Sequence, residues 1–291
     1  MRLILSILCF LVALQLNAKQ KVKLTFHKSG DFKIIQFTDT HINSISGANL
    51  EVFDFIRKLI EAEKPDLVLM TGDIITQDDP QENFRKLAEI YSQYQLPWAV
   101  VFGNHESEHN LQRRKLAGFL HELPFCLNDD QDDTEGDSDF VLKIADENGK
   151  TGAALYCMDS NTYSTLKPQV EGYGWFTLSQ VNWYVKSSRE LTRQNGGKPL
   201  PALAFFHIPL PEYTQAWNNK SIQSFGVKNE DECSPEINSG MFAAMLACGD
   251  VMGTFVGHDH INDYIALHHG IALAYGRVTK RMNGADDPLA G

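Results

Sequence analysis

Trp98-Ala99-Val100-Val101-Phe102-Gly103-Asn104-His105-Glu106 is the stretch on which the fold turns. Its first five residues are apolar, β-branched or aromatic, are entered through Pro97, and read as a short buried strand. The strand runs into Gly, Asn, His and Glu, so it presents polar side chains at its carboxyl end. In open α/β sheets, ligands bind in the crevice outside those ends. A rival reading exists, because His105-Glu106-Ser107-Glu108-His109 also fits H-E-x-x-H, the zinc-protease signature. That chemistry needs both histidines one turn apart in one helix. His105 directly follows a strand and a Gly-Asn pair, and Ser107 reads as the N-cap of the next helix, which separates the two. The match is read as coincidence.

Working outward, four other apparent strand ends carry similar groups. Phe32–Phe37 ends at Asp39-Thr40-His41, and Asp66–Met70 at Gly72-Asp73. Leu203–Phe206 ends at His207, and Val251–Val256 at Gly257-His258-Asp259-His260. Helical stripes over 51–63 and 80–95 separate the first three strands, giving β-α-β-α-β and a parallel half-sheet. Further helices are expected over 107–123, 179–194 and 241–248. Strands 139–144 and 153–158 pair around Glu147-Asn148-Gly149, and 264–267 with 271–275 form a hairpin. Gly172-Tyr173-Gly174-Trp175 begins a Gly and aromatic loop, and 209–240 lacks periodicity and reads as a long loop of the kind that forms lids. Asn128–Asp139 holds seven acidic residues, but no register fits a calcium loop, so a solvated turn is expected.

The chain has 291 residues, 43% of them hydrophobic, and a formal net charge of −11. No basic stripe is present to neutralise phosphates, which argues against a nucleic-acid backbone as the main partner. Residues 1–18 combine Arg2, an apolar run from Leu3 to Leu16 and Leu16-Asn17-Ala18 ahead of Lys19. That pattern reads as a secretory signal peptide cleaved after Ala18, leaving a domain over 19–291 that is secreted or periplasmic and free of the membrane. Cys126, Cys157, Cys233 and Cys248 form no C-x-x-C pair; an exported chain could hold one disulfide, and Cys157 reads as a buried thiol.

Asp39, His41, Asp73, Asn104, His105, His207, His258 and His260 thus accumulate at strand ends. Carboxylates, imidazoles and one amide oxygen suit borderline metals such as zinc, manganese, iron or cobalt rather than calcium. The set is too large for one tetrahedral ion and suits two ions sharing a carboxylate. His27, His109, His121, His268 and His269 lie in polar or turn contexts and read as non-ligands.

The order D-x-H, G-D, G-N-H-E, lone His, G-H-x-H resembles the five blocks of the calcineurin-like metallophosphoesterase superfamily. Phe37-Thr38-Asp39-Thr40-His41, Asn238-Ser239-Gly240-Met241-Phe242 and Gly257–Tyr264 are most similar to its purple-acid-phosphatase-like branch. Thr76 stands where true purple enzymes carry a tyrosine, so no colour is expected. The resemblance implies a four-layer α/β/β/α sandwich of two mixed sheets with outer helices. It also implies two divalent transition-metal ions, manganese, iron or zinc. Asp39, His41 and His260 would hold the first ion, Asp73 would bridge, and Asn104, His207 and His258 would complete the second.

The implied function is hydrolysis of a small phosphate ester by a hydroxide bridging the two metals. Asp73 and His105 would be catalytic, Asn104 and His105 would bind substrate, and His105 would protonate the leaving oxygen. Glu106 is a candidate either to orient that imidazole or for the surface. The alternative is an exported module that keeps the ions and turns nothing over. Members of the branch continue into another strand, so the resemblance also implies a chain truncated at its C-terminus.

Overall fold

The computed structural model describes residues 22–108, 110–129 and 134–280. The signal-peptide reading, His109 and the last eleven residues lie outside them.

Three strands build the smaller sheet in the order β2 (Ile34–Phe37), β3 (Leu67–Thr71), β4 (Trp98–Val101), all parallel. The larger has eight strands: β1 (Leu24–Thr25), β5 (Phe140–Ala145), β6 (Thr151–Cys157), β7 (Ala202–Phe205), β9 (Val251–Val256), β11 (Ile271–Tyr275), β10 (Asn262–His268) and β8 (Ser224–Lys228), in that spatial order. It is mixed, with β6, β7, β9 and β11 parallel and antiparallel pairs toward both edges.

Alternation along each strand explains the layering, because successive side chains point to opposite faces. Leu67, Leu69, Ala99 and Val101 face Leu142, Ile144, Leu155, Cys157 and Phe205 between the sheets. Val68, Met70, Trp98 and Val100 face outward under the helices α1 (Val52–Glu63), α2 (Gln81–Gln93) and α3 (Arg113–His121). Tyr156, Ala204 and Phe206 do the same under α4 (Leu178–Gln194), α5 (Glu212–Asn218) and α6 (Met241–Cys248). The result is the expected four-layer α/β/β/α sandwich. The smaller sheet is wholly parallel among its described strands, as the β-α-β-α-β pattern reads, where the resemblance implies a mixed one. With both faces buried, β3 and β4 read as unbroken apolar runs.

Two elements depart from the sequence reading. Ser107 does not cap a helix; it closes a single 3-10 turn, His105–Ser107, and its Oγ donates to Asn104 O at 2.7 Å. The α-helix begins only at Arg113, behind Gln112 in extended conformation (ψ 140°). The segment 209–240 is not a structureless lid: it contains α5 and the edge strand β8, and Tyr213 is fully buried.

Candidate metal centre

The parallel strands of both sheets deliver their carboxyl ends to one place. Asp39 and His41 follow β2, Asp73 follows β3, Asn104 and His105 follow β4, His207 follows β7, and His258 and His260 follow β9. Asp39, His41, Asp73 and His258 adopt positive φ of 54°, 44°, 53° and 77°. Each such conformation costs of order 1–3 kcal/mol and persists only where the surroundings over-determine it. Here they do. Asp39 Oδ2 accepts from Thr38 Oγ1 at 2.7 Å and from His258 N at 3.0 Å. Glu106 accepts from the backbone N–H of Asp73, Ile74 and Gly103 at 3.0, 2.7 and 2.6 Å. Two glycines permit the approach: a Cβ on Gly103 would strike the Asp73 carboxylate, and one on Gly257 would strike Thr38 and Asp39.

Within this cradle lie two groups that could hold a metal ion: Asp39 with His41 and His260, and Asp73 with His207 and His258. His41 Nε2 and His260 Nε2 are 3.1 Å apart, and Asp39 Oδ1 lies 3.3 Å from His260 Nε2. Asp73 Oδ2 lies 3.1 Å from His207 Nε2 and 3.9 Å from His41 Nε2, so it faces both groups. Ligand atoms about 2.1 Å from a shared ion stand about 3 Å apart, which is this spacing. His207 Nδ1 pairs with Thr71 O at 2.8 Å, turning Nε2 inward. Among the described residues, eight buried side-chain polar atoms lack a hydrogen-bond partner, and three of them, Asp39 Oδ1, Asn104 Oδ1 and His258 Nε2, belong here. Buried polar groups are normally satisfied, so orphans gathered in one N/O cage are what a divalent cation would use. The residues fit the ions that the sequence implies.

Charge points the same way. Burial alone would push His207 down, but the Asp73 and Asp39 carboxylates override it and carry its pKa up to about 10. Burial likewise opposes ionisation of Asp39, yet His207, His260 and His41 hold its carboxyl well below the usual range. His258 goes the other way, pushed down to about 3 by burial and then by His207. The cage draws positive charge, with protons standing in for cations.

His105 sits at the rim, its Nε2 3.8 Å from Asp73 Oδ2 while its backbone N–H donates to Asp73 Oδ1 at 2.9 Å. Burial works against its charge, but Asp73, Glu108 and Glu106 leave its pKa raised. Glu106 neither orients this ring nor faces solvent; it is fully buried, and its three backbone bonds brace the loops. Sequence reasoning missed four neighbours. Glu108 meets His105 Nδ1 at 2.6 Å. Tyr163 accepts from Asn104 Nδ2 at 3.3 Å and stacks on Tyr173, whose ring lies 4.4 Å from that of His258. Lys280 is partly buried within electrostatic reach of Asp39 and Asp73; it arrives because Val278 pairs with Thr38 and Thr279 N donates to Thr38 O at 2.9 Å. Only the Gly172–Trp175 loop carried a sequence signal for any of these.

The acidic stretch is not merely a solvated turn. Asp137 pairs with Arg113, and Asp139 is half-buried, accepting from Gln180 Nε2 at 3.0 Å and from Asp159 N at 2.7 Å. Arg113 in turn donates to Gly103 O at 2.6 Å, so these acids help to hold the loop that carries His105. Among the described residues no disulfide forms, and Cys157 is buried as read. His27, His121, His268 and His269 are absent from both groups. Tyr264 donates its hydroxyl to Glu232 Oε1 at 2.7 Å, and Thr76 Oγ1 turns to His41 O.

The sequence profile of the calcineurin-like phosphoesterases matches residues 32–262. The chain belongs to that family. A relative from Arabidopsis thaliana, named "Probable inactive purple acid phosphatase 29", is 33% identical over 88% of this chain and 74% of its own length. A second Arabidopsis relative, "Probable inactive purple acid phosphatase 14", is 31% identical over 92% of this chain and 74% of its own. These matches agree with the purple-acid-phosphatase-like branch. "Phosphatase DCR2" of Saccharomyces cerevisiae is 30% identical over 85% of this chain and 48% of its own length. Among solved structures, a dimetal phosphatase from Danio rerio shares the fold with a TM-score of 0.58 at 14% identity, covering 86% of this chain and 88% of that one.

Proposed function

We propose that this chain hydrolyses small phosphate esters at a centre of two divalent transition-metal ions, manganese, iron or zinc. One observation carries the reading: two carboxylate–imidazole groups, each built on a buried aspartate, converge on Asp73 and leave Asp39 Oδ1 and Asn104 Oδ1 without partners. Asp39, His41 and His260 would hold one ion, Asn104, His207 and His258 the other, and Asp73 both. When bound, such ions supply Lewis acidity and a nucleophile near neutral pH. The chain's own residues do the rest. Asn104 Nδ2 is held by Tyr163, which turns its Oδ1 inward. His105, with its pKa raised, carries the proton that a departing oxygen needs and faces the centre with Nε2.

A second reading has one observation behind it, the word "inactive" in the names of three Arabidopsis relatives. In it the chain keeps its ions and turns nothing over. His105 favours the enzyme, since a mere binder has no use for a cationic imidazole at the rim. Assaying an aryl phosphate monoester and diester side by side, with manganese and then with chelator, decides. Chelator-sensitive turnover supports hydrolysis; stoichiometric metal with no turnover of either ester leaves the silent module.

We also propose that residues 1–18 are a cleaved signal peptide and that the mature protein is secreted or periplasmic. The positive start, short apolar run and Leu16-Asn17-Ala18 support this. Among the described residues, no helix is long and apolar enough to cross a membrane. Intact mass of the exported protein should begin at Lys19; a mass beginning at Met1 would refute cleavage.

A further inference from the structure

His105-Glu106-Ser107-Glu108-His109, set aside as a false protease signature, holds a carboxylate that the proposed chemistry has not used. In an α-helix, residues four apart share a face; in a 3-10 turn, residues three apart eclipse. His105–Ser107 is such a turn, with Glu108 N donating to His105 O at 3.0 Å. The turn therefore sets Glu108 beside His105, and Glu108 Oε2 meets His105 Nδ1 at 2.6 Å. The other oxygen, Oε1, accepts from the Tyr163 hydroxyl at 3.0 Å, and that hydroxyl accepts from Asn104 Nδ2 at 3.3 Å. No neighbouring carboxylate is free to replace Glu108. Glu106 is committed to three backbone N–H groups, and Asp73 Oδ2 stands 3.8 Å from His105 Nε2, beyond hydrogen-bond length.

We propose that Glu108 is the positioning residue of His105: it binds the Nδ1 edge, so that Nε2 is the atom presented to the reacting ester, and Tyr163 holds Glu108 in place. The inference rests on the phosphoesterase reading. A side chain that holds a second imidazole edge fixes the tautomer and ring orientation, and loss of such a partner typically costs about 10–100-fold. The loss should appear where the proton matters. An alkoxide leaves poorly without one, whereas nitrophenolate leaves without help.

The test uses the metal-loaded protein with Glu108→Gln and Tyr163→Phe. Glu108→Gln should lower kcat on an alkyl phosphate at least about tenfold, with KM and metal content unchanged and nitrophenyl phosphate nearly unaffected. Tyr163→Phe should lose less on the alkyl phosphate, and because its hydroxyl also holds Asn104 Nδ2, its metal content is measured on the same sample. Equal losses on both substrates, or loss of metal, in Glu108→Gln would overturn the assignment. A readout independent of turnover keeps it separate from the proposed function. In long-range 1H–15N spectra of the zinc-loaded protein at high pH, His105 should carry its proton on Nδ1. In Glu108→Ala the proton should redistribute toward Nε2. A tautomer indifferent to Glu108→Ala sinks the inference even if the enzyme is active; the expected redistribution in a protein without turnover retains the positioning while removing the hydrolase reading.

Discussion

The two sheets contribute to the centre in different ways. The small parallel sheet supplies both carboxylates, the amide and His105, on loops bent through positive φ at Asp39, His41 and Asp73 and braced by the buried Glu106. The large sheet supplies His207, His258 and His260 with one such bend, at His258. Each candidate ion position draws on both: Asp39 and His41 with His260, and Asp73 with His207 and His258. The small sheet carries the negative charge and most of the strain, and the large sheet carries imidazoles alone. Metal at this seam would fasten one sheet to the other.

The sharpest way to break that comparison is Asp73→Asn, which removes the one charge facing both groups. Activity should fall by at least about a hundredfold and at least one ion should be lost; elemental analysis finding two ions retained would show that Asp73 does not bridge. Next comes metal removal. If ions clamp the seam, chelation should lower Tm by about 5–10 °C, the effect of a ligand present near a hundred times its Kd. An unchanged melting curve would leave the sheets independent of metal. Glu106→Gln is smaller. It puts an amide where three backbone N–H groups need acceptors, at a cost of about 1–3 kcal/mol measured by denaturant unfolding, and it should lower stability more than Glu108→Gln does.

Protonation offers a subtler probe. His207 is raised to about 10 by Asp73 and Asp39 in the metal-free protein, so at pH 8 it is charged, and a cation must displace that proton. Zinc binding at pH 8 should release about one proton, read by calorimetry in buffers of different ionisation enthalpy, and affinity should weaken as pH falls. Zero release would mean that His207 is already neutral. The smallest effect expected is that of Tyr264→Phe. Its hydroxyl is turned to Glu232, so metal content and the colourless spectrum should not change.

Most of this architecture was legible in the sequence because parallel strands buried on both faces leave continuous apolar runs such as Leu67–Met70, each followed by its polar group. The candidate site was legible for the same reason: a ligand at a strand end inherits the strand's position. What stayed hidden depends on distance rather than on pattern. Glu106 looked like any surface acid until the Asp73 and Gly103 backbones closed around it. The edge strand β8, Ser-Phe-Gly-Val-Lys, is mostly exposed and interrupted by Gly226, so it has no alternation to announce it. Lys280 reaches the centre only because Thr279 bonds Thr38, a pairing that no local signal encodes. At His105 the decision between α and 3-10 geometry moved the partner by one residue, from His109 to Glu108.

The bond from Thr38 N to Thr279 Oγ1 spans 241 positions. During synthesis, at about 5–20 residues per second, Asp39, His41 and Asp73 emerge well before His258 and His260 exist. An early chain therefore offers carboxylates and one imidazole, a set that any hard cation can visit and leave. Selective loading has to wait for the last strands to dock. If the chain is exported as proposed, the metal filling this centre would be chosen by the compartment in which folding finishes, not by the one in which translation begins.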